Sequence, residues 1–220
     1  MIEHVEVLPD ADALSRRAAD VVSDRIRASG RRSARFSFAV SGGRTPWAMF
    51  EHLRAEDVDW SQVDLYQVDE RIAPDGDPDR NLTQLAASLP PGVRVHAMPV
   101  DDDAPDAAAA RYASTLPERF DLVHLGLGPD GHTASLIPGD DVLDVTDRDV
   151  ALTGEYQGRR RMTLTYPALD RAVEVLWLVA GADKVDALRK LRAEDLSIPA
   201  GRVTTERQLL LVDRAACPAG

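Results

Sequence analysis

The feature that most constrains this chain is a set of short, nearly continuous apolar runs separated by stretches of helical periodicity. Residues 122–127 (LVHLGL), 171–181 (RAVEVLWLVAG) and 209–212 (LLLV) show too little polar alternation for strands with one wet face. Strands buried on both faces belong to a mostly parallel sheet with helices on each side. The rest of the chain fits that frame. Val5 and Val7 begin a short strand, and Asp10 or Asp12 caps a helix that buries Leu14, Ala18, Val21, Val22 and Ile26 and ends at Gly30. A strand over 35–40 leads to a helix with Thr45 as cap and Pro46 in its first position. A strand over 63–68, a helix from Asn81 to about Leu89, a strand over 93–98 and a helix over 104–116 follow. Beyond residue 139, the acidic 140–149 segment reads as a surface excursion, and 150–156 and 161–165 read as strands joined by a turn at Gly158. A helix over 182–192 carries Lys184. The expectation is one α/β domain over residues 1–220, a Rossmann-like α/β/α sandwich.

Composition limits the classes of function. With 220 residues and 44% hydrophobic content there is ample material for a core. A net charge of −11, spread along the chain, argues against nucleic acid or an anionic membrane as partner, so an anionic substrate needs a local positive site. The single cysteine, Cys217, allows no internal disulfide. Together with the lack of a signal-like or membrane-spanning run, this predicts a cytoplasmic protein. Of the 26 basic residues only Lys184 and Lys190 are lysine, so each draws attention as a compact ammonium in an arginine-biased chain.

Four motifs carry chemistry. In SGGRTP, residues 41–46, Gly42 and Gly43 let main-chain N–H groups approach a ligand, and the helix that follows favours an anion. Ser41, Arg44 and Thr45 add donors, and the spacing is neither a Walker loop nor a dinucleotide fingerprint. The triplet Asp69, Glu70, Arg71 sits where a strand ends and reads either as a surface ion-pair cluster or as part of a site. In GPDGHT, residues 128–133, His132 is the candidate general base and Asp130 can fix its tautomer. His4, His52, His96 and His124 form no ligand spacing with it, and no GxSxG nucleophile elbow exists, so water is the nucleophile and no metal is expected. The fourth motif is basic: Arg159, Arg160 and Arg161 ahead of MTLTYPAL, and Lys184 after an apolar strand.

Taken in order, SGGRTP, DER, GLGPDGHTASLIPG, RMTLTYPAL and GADK resemble the glucosamine-6-phosphate isomerase/6-phosphogluconolactonase family, in its stand-alone lactonase form. The resemblance implies a NagB/RpiA-like fold and hydrolysis of 6-phosphoglucono-δ-lactone without cofactor. It makes Ser41, Gly42, Gly43 and Thr45 a phosphate loop, Arg161 and Lys184 further phosphate contacts, and His132 the general base. Arg71 is then the candidate for stabilising the oxyanion or holding ring hydroxyls, and Asp69 and Asp130 for orienting His132 or substrate. Related deaminases place a catalytic glutamate five residues after the histidine, where this chain has Ile137, which speaks against deamination. The family's Ser-Asn pair is Arg80-Asn81 here. A deaminase, or a sugar-phosphate sensor without chemistry, is the competing expectation. The partner expected is a phosphorylated sugar lactone, bound by a monomer or small homo-oligomer.

Overall fold

The computed structural model describes residues 2, 4–30 and 35–218; the expected domain over 1–220 also includes residues 1, 3, 31–34, 219 and 220, which lie outside the described residues. Ten strands are described: β1 (His4–Leu8), β2 (Phe36–Val40), β3 (Val63–Gln67), β4 (Asp69–Arg71), β5 (Arg94–His96), β6 (Leu122–Gly126), β7 (Val150–Leu152), β8 (Arg161–Leu164), β9 (Val175–Val179) and β10 (Gln208–Asp213). Seven of them form a wholly parallel sheet in the order β1-β10-β9-β6-β2-β3-β5. The remaining three form a small antiparallel sheet, β4-β8-β7.

The apolar runs explain the layering. Successive residues of a strand face opposite sides, so in β6 and β9 Leu122, Leu176 and Leu178 enter one core while Val123, Leu125, Val175 and Trp177 enter the other. The first core is closed by α1 (Ala11–Gly30), through Leu14, Ala18 and Val22, and by α2 (Arg44–Leu53), through Met49, Phe50 and Leu53. The second is closed by α4 (Pro105–Ala113), by α6 (Val185–Arg192) and by Met162 and Leu164 of the small sheet. Each fully buried aliphatic side chain contributes about 1.5–3 kcal/mol to holding these layers together.

Several boundaries differ from expectation for identifiable reasons. Asp10 caps α1, its Oδ1 accepting the Ala13 N–H at 2.9 Å. Thr45 does not cap α2: Arg44 is already helical, Gly43 occupies the cap with φ +132°, and Pro46 is the third helical residue, still within the turn whose N–H groups have no helical acceptor. The strand over 63–68 stops at Gln67, and residues 69–71 pair with β8 instead of ending β3. The strand over 93–98 shrinks to β5 because the Met98 N–H leaves the ladder and donates to Gln67 Oε1 at 2.9 Å. The helix over 104–116 ends at Ala113, and the one over 182–192 divides into a 3₁₀ turn at Ala182–Lys184 and α6. The 140–149 excursion is partly anchored by a 3₁₀ turn at Asp141–Asp144 with Val142 buried.

The strand order places the site. From β2 the chain moves outward through β3 to β5, returns to β6, and moves outward in the opposite direction through β9 and β10. The reversal lies between β2 and β6, and open α/β sheets bind ligands in the crevice beyond the carboxyl ends of such strands.

Candidate active site

Three neighbouring strands, β9, β6 and β2, each deliver one motif to that crevice. Residues 41–46 follow β2, the GPDGHT loop follows β6, and the turn bearing Lys184 follows β9; all three line one cavity of about 260 Å3. The small sheet supplies the wall, contributing Asp69, Arg71 and Arg161.

The GPDGHT loop is built around the histidine. A Cβ on Gly128 would lie 2.1 Å from His132 Nδ1 and 2.6 Å from Asp130 Oδ1, so only glycine lets the ring fold back over the loop. Asp130 Oδ1 lies 2.6 Å from His132 Nδ1 and accepts the His132 main-chain N–H at 3.1 Å. That pairing assigns the ring proton to Nδ1 and leaves the Nε2 lone pair to act as a base. Burial raises the Asp130 carboxyl, but the main-chain N–H, charge and ring of His132 and the Tyr156 hydroxyl outweigh it and hold it below its ordinary value. Ala134, two residues on and also in the cavity wall, has φ +50°, a left-handed conformation beside His132.

The cradle is open towards an anion. No side chain caps α2, so the first N–H groups of this ten-residue helix face the cavity lined by Gly42, Gly43, Arg44 and Thr45. Gly42 is required for another reason: a Cβ there would meet Asn81 Oδ1 at 1.9 Å. Ser41 lies at the cavity, yet both its donors point into β6, with N–H to His124 Nδ1 at 3.3 Å and Oγ–H to the His124 carbonyl at 3.2 Å. It ties the cradle to the strand that precedes the His132 loop.

His124 was not singled out from the sequence, where it sits inside an apolar run. It is 1% exposed, and burial pushes its imidazole down to about 3, so it is neutral with its proton on Nε2. The depressed value gives stability that is complete above the unfolded value of 6.5 and is lost as pH falls from there towards 3, since only the unfolded chain gains the proton. Urea denaturation between pH 6.5 and 4.5 should show this as a slope about 1.4 kcal/mol per pH unit steeper in the native protein than in His124→Leu. Equal slopes would show that His124 is not buried neutral.

The wall brings two arginines together beside Asp69. Arg71 and Arg161 stand directly opposite each other in the β4–β8 ladder, a like-charge pair that an anion relieves. Arg161 is 5% exposed, its Nε has no partner, and burial lowers its guanidinium from the ordinary value. Arg71 Nη1 donates to Asn81 Oδ1 at 2.7 Å and to the Asp79 carbonyl at 2.9 Å. Lys184 Nζ is 3.0 Å from Asp183 Oδ2 at the cavity edge.

A family model described as glucosamine-6-phosphate isomerases/6-phosphogluconolactonase matches residues 9–212. The chain belongs to this family. A relative from Nostoc sp., named 6-phosphogluconolactonase, is 36% identical over 98% of both chains, and one of that name from Mycobacterium tuberculosis is 35% identical over 98% of both. The crystal structure of 6-phosphogluconolactonase from Leishmania guyanensis superimposes with a TM-score of 0.88 at 24% identity, covering 100% of this chain and 99% of that one, which establishes the shared fold.

Within this glucosamine-6-phosphate isomerase/6-phosphogluconolactonase fold, the two candidate orienting carboxylates separate. Asp130 touches His132, whereas Asp69 accepts Ser135 Oγ–H at 2.6 Å, in a buried pair. Of the three arginines at 159–161, only Arg161 lines the main cavity; Arg159 is held by Asp77 and Asp79 at 3.1 and 3.2 Å, and Arg160 Nε donates to the Thr153 carbonyl at 3.3 Å. Ile137 is buried away from the cavity. Arg80 is buried and stands 3.8 Å from Glu70 Oε2.

Glu70 and Asn81 are site residues that sequence reasoning did not assign. Glu70 is 0% exposed and accepts four N–H groups: Arg71 and Asn81 main chain on Oε1 at 2.8 and 2.7 Å, Gln67 Nε2 and Leu82 main chain on Oε2 at 2.8 and 2.7 Å. It thereby caps α3 (Asn81–Ser88) and fixes Asn81, whose amide also donates to the Asp69 carbonyl at 3.0 Å. The signal available was a carboxylate between two cavity residues in a period-2 strand, where the middle residue faces the opposite side.

Among the described residues, no group of three or more His, Cys, Asp and Glu side chains converges as a metal site, and no helix is long and apolar enough to cross a membrane.

Proposed function

We propose that this chain hydrolyses 6-phosphoglucono-δ-lactone to 6-phosphogluconate, with water activated by His132. The observation that carries this reading is the Asp130–His132 contact of 2.6 Å in the same cavity as an uncapped helix N-terminus, Arg161 and Lys184. The phosphate sits at the start of α2 between Arg161 and Lys184, and the ring lies along the wall towards His132. His132 Nε2 removes a proton from water as the oxygen attacks the lactone carbonyl carbon. Asp130 stabilises the imidazolium that forms, and Arg71 stabilises the oxyanion or holds the ring hydroxyls. Collapse breaks the bond to the ring oxygen, which receives the proton from His132, and the carboxylic acid product ionises. Activation of water needs only the imidazole and the positioning of an already reactive ester.

Lys184→Ala and Arg161→Ala separate binding from chemistry. Each removes a charge-assisted contact worth about 1.5–3 kcal/mol, so KM rises about 10–150-fold while kcat changes by much less, measured by steady-state acid release. Unchanged affinity for 6-phosphogluconate in either variant removes that residue from the phosphate site.

The deaminase alternative is tested in the same preparation. Purified protein should accelerate acid release from freshly generated lactone above the spontaneous rate and release no ammonia from glucosamine 6-phosphate. Ammonia without lactone hydrolysis would reverse the assignment, and neither activity would leave a sugar-phosphate sensor.

A further inference from the structure

Tyr156 lies behind the cavity wall and touches both halves of the site. Its hydroxyl donates to Asp130 Oδ2 at 3.2 Å, the oxygen that His132 does not use. Its ring meets the His132 ring edge-on, with centroids 5.6 Å apart and planes at 67°. The Arg161 guanidinium carbon lies 5.0 Å from the same ring centroid. One side chain therefore contacts the proposed base, its carboxylate partner and the buried phosphate-site cation, without itself lining the cavity.

The chain holds this tyrosine firmly. Tyr156 and Arg159 pair across a two-residue turn, N–H to carbonyl at 3.0 and 3.3 Å, and both central residues are left-handed, Gln157 at φ +52° and Gly158 at φ +76°. That is the tight hairpin geometry whose twist matches the strands it joins, here leading from β7 into β8 and so into Arg161. A non-glycine residue in the left-handed region is tolerated where the surroundings fix it. The turn thus sets Tyr156 and Arg161 in one rigid unit, and the tyrosine connects that unit to the loop after β6.

We propose that Tyr156 is a positioning residue of the lactone-hydrolysis site: its hydroxyl and edge hold the His132–Asp130 pair in place while its ring face holds the Arg161 guanidinium. The inference rests on the proposed lactonase reading and adds a specific division of labour within one side chain. The hydroxyl acts on proton transfer, and the ring face acts on phosphate binding. A residue that merely filled space would affect both equally or neither.

Two variants separate these roles. Tyr156→Phe keeps the ring and loses the hydroxyl, so kcat falls about 3–10-fold while KM and the Kd for 6-phosphogluconate, read by calorimetry, stay within about twofold. Tyr156→Leu loses the ring as well, so the Kd for 6-phosphogluconate also weakens by about 3–10-fold. In an Asp130→Asn background, adding Tyr156→Phe should cost less than twofold, because the group through which the hydroxyl acts has already been altered. An active native enzyme in which Tyr156→Phe leaves kcat unchanged, or in which the Phe change costs the same with and without Asp130, overturns the proposal and leaves the lactonase reading intact. Absence of lactone hydrolysis by the native protein removes both. If Tyr156→Leu does not fold, the Phe variant and the cycle still decide.

Discussion

His132→Ala lowers kcat for lactone hydrolysis by about 10²–10⁴, with the Kd for 6-phosphogluconate within a fewfold of native and the thermal midpoint little changed. The magnitude follows from the role. General-base removal of a water proton is lost, while the phosphate contacts and the activated ester remain. The affinity is retained because the proposed anion contacts, the start of α2, Arg161 and Lys184, do not include His132. The structure is retained because the ring lies against Gly128 and Asp130 in a loop and supports neither core. Acid release under saturating lactone, corrected for spontaneous hydrolysis, measures the effect. A well-folded variant within a fewfold of native activity would mean that another group activates water.

The second large effect is on stability. Glu70→Ala removes the acceptor for four N–H groups in a position with no access to solvent, three of them main-chain groups at the join between β4 and α3. Leaving a buried donor unpaired costs about 1–3 kcal/mol, and some will find new partners, so the loss should be about 3–5 kcal/mol by urea denaturation. Glu70→Gln keeps one carbonyl oxygen and should fall between. Activity should suffer beyond the stability loss, because Glu70 fixes the main chain of Arg71 and Asn81, and Asn81 Oδ1 in turn holds Arg71. A loss under about 1 kcal/mol would mean that the capping bonds are readily replaced.

The parallel sheet was readable because runs such as Val175–Val179 bury every residue, and continuous apolarity leaves no wet face. The candidate histidine stood out for a local reason: glycines at 126, 128 and 131 gather around an aspartate and a histidine directly after an apolar run. In the small β4-β8-β7 sheet the β7–β8 hairpin around Gly158 was readable, but the pairing of β4 with it was not. Its strands are three or four residues long, and their pairing joins Asp69–Arg71 to a segment far along the chain, so no local periodicity announces it. The same non-locality hid Glu70, His124 and Tyr156. Glu70 reads as one charge among three, His124 as an interruption in an apolar strand, and Tyr156 as the last residue of a strand; each gains its contacts from a partner that only the folded chain supplies. Thr45 and Pro46 misled for a different reason. Their cap chemistry was plausible, but Gly43 with φ +132° starts the helix two residues earlier, and no side chain caps α2.

The central claim is that a phosphate cradle on β2 and a base on β6 act on the two ends of one substrate. The most direct test compares kcat/KM for 6-phosphoglucono-δ-lactone with that for glucono-δ-lactone, which has the same carbonyl and no phosphate. Two charge-assisted contacts of about 1.5–3 kcal/mol each predict a preference of at least about 10² for the phosphorylated lactone, shrinking by about tenfold or more in Lys184→Ala. Equal kcat/KM for the two lactones would contradict the account.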